Sequence, residues 1–110
     1  MEQENSQKIQ ELQILEQNLQ NLMFQKQNNN LELNEVVNAI KEVTQSGGDI
    51  YKITGQIMLK SNKETTLKDL EEKKKVLEIR NESIEKQENL LVSKADEIKE
   101  EFKKSGNKKQ

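Results

Sequence analysis

A chain of 110 residues with 31% hydrophobic and 35% charged residues, and with no Pro, Trp, Cys or His, has one domain's length without an ordinary globular composition. Those absences exclude a disulfide framework and thiol chemistry, and they remove the commonest general base and metal ligand. No apolar run exceeds three residues and the net charge is only −2, so neither a membrane span nor a nucleic-acid partner is indicated.

The opening residues 1–7 are polar and acidic and do not read as a secretory signal, which makes a cytoplasmic location the expectation. From about residue 8 to 45 the spacing predicts a helix. Leu12, Leu15, Leu19, Leu22, Leu33, Val36, Ile40 and Val43 recur at alternating steps of three and four, the signature of heptad a and d positions. Lys26 and Asn29 interrupt that seam at a and d. The first thirty residues hold eight Gln and six Asn, which reads as a biased, solvated helix face. Gly47-Gly48 offers a C-terminal stop.

The stretch from Asp49 to Lys60, DIYKITGQIMLK, breaks the pattern. It is β-branched, holds the only Tyr, and has Gly55 at its middle. It predicts a hairpin over about 50–60, with Gly55-Gln56 as a two-residue type II′ turn. Tyr51, Ile53, Met58 and Lys60 would share one face. Ile50, Lys52, Thr54, Ile57 and Leu59 would share the other. Both faces carry bulky apolar groups, and an isolated two-stranded hairpin is marginal in water with two open edges. The expectation is therefore a connector that joins other hairpins, with Ile50, Tyr51, Ile53, Gly55, Ile57, Met58 and Leu59 as the oligomerisation surface.

A second helix is expected over about 63–104, capped by a Ser61/Glu64 capping box and stopped at Gly106, with 105–110 as a tail. Its seam runs through Leu67, Leu70, Leu77, Ile84, Leu91, Ala95, Ile98 and Phe102, with Lys74, Asn81 and Glu88 as polar interruptions. Residues 1–45 carry seven acids and three bases, whereas residues 67–110 carry eleven acids and twelve bases, so the arms attract weakly. Folding them into an antiparallel pair sets Leu12 opposite Ile98, Leu19 opposite Leu91, Leu33 opposite Leu77 and Ile40 opposite Leu70. Asn29 then meets Asn81, where two amides could satisfy each other. Lys26, Glu88 and Lys74 would have to snorkel outward. The fold class is mainly α: an antiparallel coiled-coil helical hairpin with one central β-hairpin, as a single domain over 1–110.

The helix–hairpin–helix layout, with Tyr51-Lys52, Gly55 and Leu59-Lys60 as YK-x-x-G-x-x-x-L-K, resembles the β-class subunits of the prefoldin family. The run from Leu70 through Leu77-Glu78-Ile79-Arg80 to Glu88 is most similar to the archaeal β subunit, a eukaryotic β-class subunit such as subunit 6 being the alternative. The resemblance spans roughly 8–104 and is specific over 50–88. A single hairpin is the mark of the β class, since the α class carries two.

This resemblance implies an ATP-independent chaperone without cofactors. Two α and four β subunits would form a hexamer through a double β-barrel of hairpins, grip unfolded proteins at the coiled-coil tips and deliver them to a group II chaperonin. It directs attention to Ile9, Leu12, Ile14, Leu15, Ile98 and Phe102 as client-binding tip residues, with Lys94, Lys99, Lys103 and Lys104 as candidates for the chaperonin contact. Independently, the sequence has no phosphate-binding GxxxxGK[ST] loop and no enzyme constellation. Glu71-Glu72 and Glu97, Glu100 and Glu101 read as solvated faces. Lys73-Lys74-Lys75 lacks the aromatic neighbours that single-stranded nucleic acid would want. A structural or tethering coiled-coil oligomer shares the fold and is the alternative function.

Overall fold

The computed structural model describes residues 2–108, with side chains over 4–104. Four elements follow in order: helix α1 (Glu2–Gln45), strands β1 (Ile50–Thr54) and β2 (Ile57–Ser61), and helix α2 (Lys63–Lys108). Both helices are longer than expected. The heptad phase of α1 continues backward through half-buried Lys8 and Asn5, so the helix persists to Glu2. Helix α2 continues through Gly106 to Lys108 instead of stopping. A glycine inside a helix costs only about 1 kcal/mol relative to Ala and need not end one.

Burial follows the heptad frame. Along α1 the less exposed residues include Leu12, Leu15, Leu19, Leu22, Lys26, Asn29, Leu33, Val36, Ile40 and Val43. Along α2 they include Leu67, Leu70, Lys74, Leu77, Asn81, Ile84, Glu88, Leu91, Ala95, Ile98 and Phe102. The seam is thus the a/d stripe of each arm, polar interruptions included.

The chain divides into two compact units, residues 28–81 and residues 1–27 with 82–110, of which the described part is 2–27 with 82–108. In the first, Val36 and Leu77 are buried, and Leu77 retains only 2% of its surface. Asn29, 3% exposed, lies in the same seam. Its amide does not pair with Asn81, as the sequence suggested. Asn29 Nδ2 donates to the Leu77 carbonyl at 2.9 Å, and the Oδ1 atoms of both asparagines are buried without a partner. A backbone carbonyl of α2 takes the place of the other amide as the acceptor of Asn29.

That orphaned acceptor sets an expectation opposite to the usual cost of losing a buried hydrogen bond. Asn29→Leu removes an unsatisfied oxygen and adds apolar surface to the seam. It should raise the stability of the folded chain by roughly 1–2 kcal/mol. Urea titration followed by circular dichroism checks this: a lower midpoint would mean that the bond to Leu77 outweighs the orphan.

In the unit of 2–27 with 82–108, Leu22, Ile84 and Ala95 are buried. Lys8 Nζ meets Glu101 at 3.0 Å, and Lys26 meets Glu88 at 3.3 Å and Glu85 at 3.9 Å. These pairs fall near the antiparallel register read from the sequence. Lys26 and Glu88 do not simply snorkel away. Each is half-buried, and they neutralise one another within the seam, each supplying the charge the other needs to stay there.

The ends of the helices differ from expectation in detail. The N-cap of α2 is Asn62, whose Oδ1 accepts from the Glu64 N–H at 2.8 Å, while its carbonyl accepts the first helical bond from Thr66. Ser61 cannot serve as the cap because it is the last residue of β2, paired with Ile50; its hydroxyl bonds to the Thr66 hydroxyl. Neither Gly47 nor Gly48 adopts a positive φ. The end of α1 is met instead by a cation, with Lys63 Nζ donating to the carbonyls of Thr44 and Ser46 at 3.1 Å each.

Candidate functional site

Strands β1 and β2 pair antiparallel in the register expected, with Thr54 opposite Ile57, Ile53 opposite Met58 and Tyr51 opposite Lys60. The loop is Gly55-Gln56. Gly55 has φ +62°, and no non-glycine residue among those described has a positive φ, which matches a type II′ turn. A Cβ at Gly55 would meet no atom within 4 Å, so the demand for glycine is conformational and not steric crowding. Gly55→Val should therefore destabilise the hairpin by roughly 1–2 kcal/mol, the cost of a side chain in the left-handed region. Gly55→Asn should be milder. Amide hydrogen exchange over residues 50–61 reads this directly, and equal protection in both variants would contradict it.

The hairpin is not tucked onto the chain's own helices. Tyr51, Ile53, Ile57, Met58 and Leu59 are all more than half exposed, Ile53 at 69%. Only the root residues Ile50 and Ser61 are half-buried. Ile53 and Met58 project from one face and Ile57 and Leu59 from the other, because alternate residues of a strand point to opposite sides. Asp49 and Lys60 add an exposed pair at 3.7 Å. This is an apolar ribbon open on both faces, the kind of surface that marks an interaction site.

Outside the hairpin, exposed apolar side chains are spread along both helices, and two of them lie toward the start of α1. Ile9 and Ile14 lie off the seam and are exposed, Ile14 at 58%. Leu12, Leu15, Ile98 and Phe102 are seam residues and half-buried. The structure brings Ile14, Leu15 and Ile98 together along an open groove of about 620 Å³, whose walls also include Glu4, Glu11, Glu97 and Glu101. Ile9, Leu12 and Phe102 are not part of it. Reading the acids only as solvated faces missed this juxtaposition, because residues on two arms become neighbours only once the register is known. The sequence reading also passed over Phe24, 65% exposed on the outward face of α1, although the heptad count places it off the seam.

Among the described residues no group of three or more metal-ligating side chains is placed to hold an ion, and no helix is long and apolar enough to cross a membrane. The chemistry these two apolar surfaces offer is non-directional burial.

Comparison with known proteins accounts for this arrangement. The family model described as Prefoldin subunit matches residues 6–108. The chain belongs to the prefoldin subunit family. The curated prefoldin subunit beta of Sulfurisphaera tokodaii is 37% identical over 89 residues, covering 79% of this chain and 71% of that protein. The counterpart from Thermococcus onnurineus is also 37% identical, covering 80% and 78%. Among solved structures, the prefoldin beta subunit of Thermococcus strain KS-1 superposes with a TM-score of 0.88 at 29% identity, covering 93% of this chain and 91% of that one. The beta2 subunit from the same source shares the fold at 19% identity, with a TM-score of 0.69. The match is to β-type subunits, as the single hairpin implied, and membership gives the chain a chaperone-type role in a prefoldin coiled-coil architecture.

Proposed function

We propose that this chain is a subunit of an ATP-independent holding chaperone. It assembles through the hairpin with α-type subunits into a cytoplasmic hexamer of two α and four β chains. It binds unfolded polypeptides at the terminal turns of its helices and passes them to a group II chaperonin. The observation that carries this reading is the ribbon of β1 and β2, whose apolar side chains are open on both faces. Edge pairing with sibling hairpins would cover the faces and satisfy the free strand edges together. The helix ends are then free for clients, where Ile9 and Ile14 expose apolar surface that an unfolded chain can bury without sequence-specific bonding.

Suppression of aggregation of a denatured model enzyme tests the client reading. Ile9→Ser with Ile14→Ser should leave the helices and the oligomer intact, since both residues are exposed. The concentration needed for half-suppression should rise at least roughly tenfold, as the partial burial of two apolar side chains against a client is lost. An unchanged concentration would remove these residues from client binding. A wild-type chain that assembles yet suppresses nothing would instead be a tether.

A further inference from the structure

We propose that the terminal groove selects polypeptide segments in which Lys or Arg stands beside bulky apolar side chains; this rests on the reading that clients are held at the terminal turns. The groove offers apolar contact through exposed Ile14 and half-buried Leu15 and Ile98. Such contact is tolerant of sequence, because burial of apolar surface is non-directional. The charges around it are not balanced. Glu4 and Glu11 come from α1 and Glu97 and Glu101 from α2, against two bases, Lys8 and Lys94.

Lys8 is already committed to Glu101 at 3.0 Å. Glu4, Glu11 and Glu97 are in no ion pair among the described residues. Three carboxylates therefore face a bound segment against one ammonium, Lys94. Lys99, Lys103 and Lys104, which make the end of α2 basic by composition, are not among the groove walls.

A segment carrying Lys or Arg can lay its methylene stem along Ile14 and Ile98 while its charged head reaches the carboxylates. An acidic segment of equal hydropathy would meet like charge at the same distance from the floor. The groove is then an apolar holder with a charge filter. Its preference should be strongest at low ionic strength, because the carboxylates are solvent-exposed and screened by salt.

Two short labelled peptides with the same apolar residues, one carrying Lys and the other Glu between them, provide the test. Fluorescence anisotropy is measured against the full chain in the oligomeric state in which it purifies. The Lys peptide should bind roughly tenfold more tightly, as expected for two or three exposed charge contacts acting together. The difference should shrink at about 0.5 M salt, where the screening length falls to a few ångströms. Glu11→Lys with Glu97→Lys should reverse the order of the peptides. Equal binding of both, with both weakened by Ile14→Ser, would overturn the charge selection and leave the terminal turns as the client site. Binding of both that Ile14→Ser does not change, or binding of neither, would overturn the site reading as well.

Discussion

Ile53→Ser combined with Met58→Ser should convert the assembled protein into monomers whose helices are intact, as read by native mass spectrometry and far-ultraviolet circular dichroism. The two residues sit directly opposite each other across β1 and β2 and project from one face of the ribbon. Both are more than 60% exposed, so neither contributes packing to the chain's own helices. Each would be worth roughly 1.5–3 kcal/mol if fully buried against a neighbouring hairpin. Losing both removes about 3–6 kcal/mol per contact, and each 1.4 kcal/mol is tenfold in an association constant. The assembly should therefore weaken by roughly two to four orders of magnitude. Serine keeps the backbone donor and acceptor, so the loss is of side-chain burial and not of strand geometry. Ile57→Ser with Leu59→Ser makes the matching change on the opposite face. If only one pair of substitutions disperses the protein, only that face is covered in the assembly. An unaltered oligomer in both would refute assembly through the ribbon.

Leu77→Ala should produce the largest loss of stability among single seam substitutions, with a fall of roughly 2–5 kcal/mol. Leu77 is the most buried side chain of the unit of 28–81, and Val36 is the other buried apolar residue there. A two-helix seam has few neighbours able to move into the space left, so the cavity persists and its cost is added to the lost transfer energy. For a domain of this size, each kcal/mol corresponds to roughly 4–8 °C in the melting midpoint. A drop of at least about 8 °C in a thermal melt is expected. Ile79→Ala is the internal control. Ile79 lies two residues further along the same helix but is exposed, and its removal should shift stability by no more than about 0.5 kcal/mol. Similar melts for the two variants would mean that the heptad frame does not describe the seam.

That frame was legible because its signal is redundant. Leu67, Leu70, Leu77 and Leu91 each report the same phase, and a polar intruder such as Lys74 does not shift it. The hairpin was legible for a different reason: Gly55 at a two-residue loop between β-branched runs allows one register, and the alternation then assigns Ile53 and Ile57 to opposite faces. What the sequence did not disclose involves groups that one residue's identity does not specify. Asn29 bonds to a backbone carbonyl, and every residue carries one, so nothing in the letters distinguishes Leu77 as its partner. Lys63 is read as one more charge until the end of α1 is brought to it. The cap moved from Ser61 to Asn62 because the strand claimed Ser61 first, a competition between sheet and helix that local motifs do not contain. The groove of Ile14 and Ile98 required both arms and their register at once.

The half-buried Lys26–Glu88 pair and the orphaned asparagine oxygens mean that opening the seam hydrates polar groups along with leucines. Apolar hydration raises the heat capacity of the open state and polar hydration lowers it. The two contributions partly cancel in this seam, so it contributes less to the heat-capacity increment than an all-leucine seam of the same area would. The free energy of the helix pair then curves less with temperature than an all-leucine seam would make it. Whatever margin the seam holds at moderate warmth is retained over a broad span, toward cold as well as toward heat.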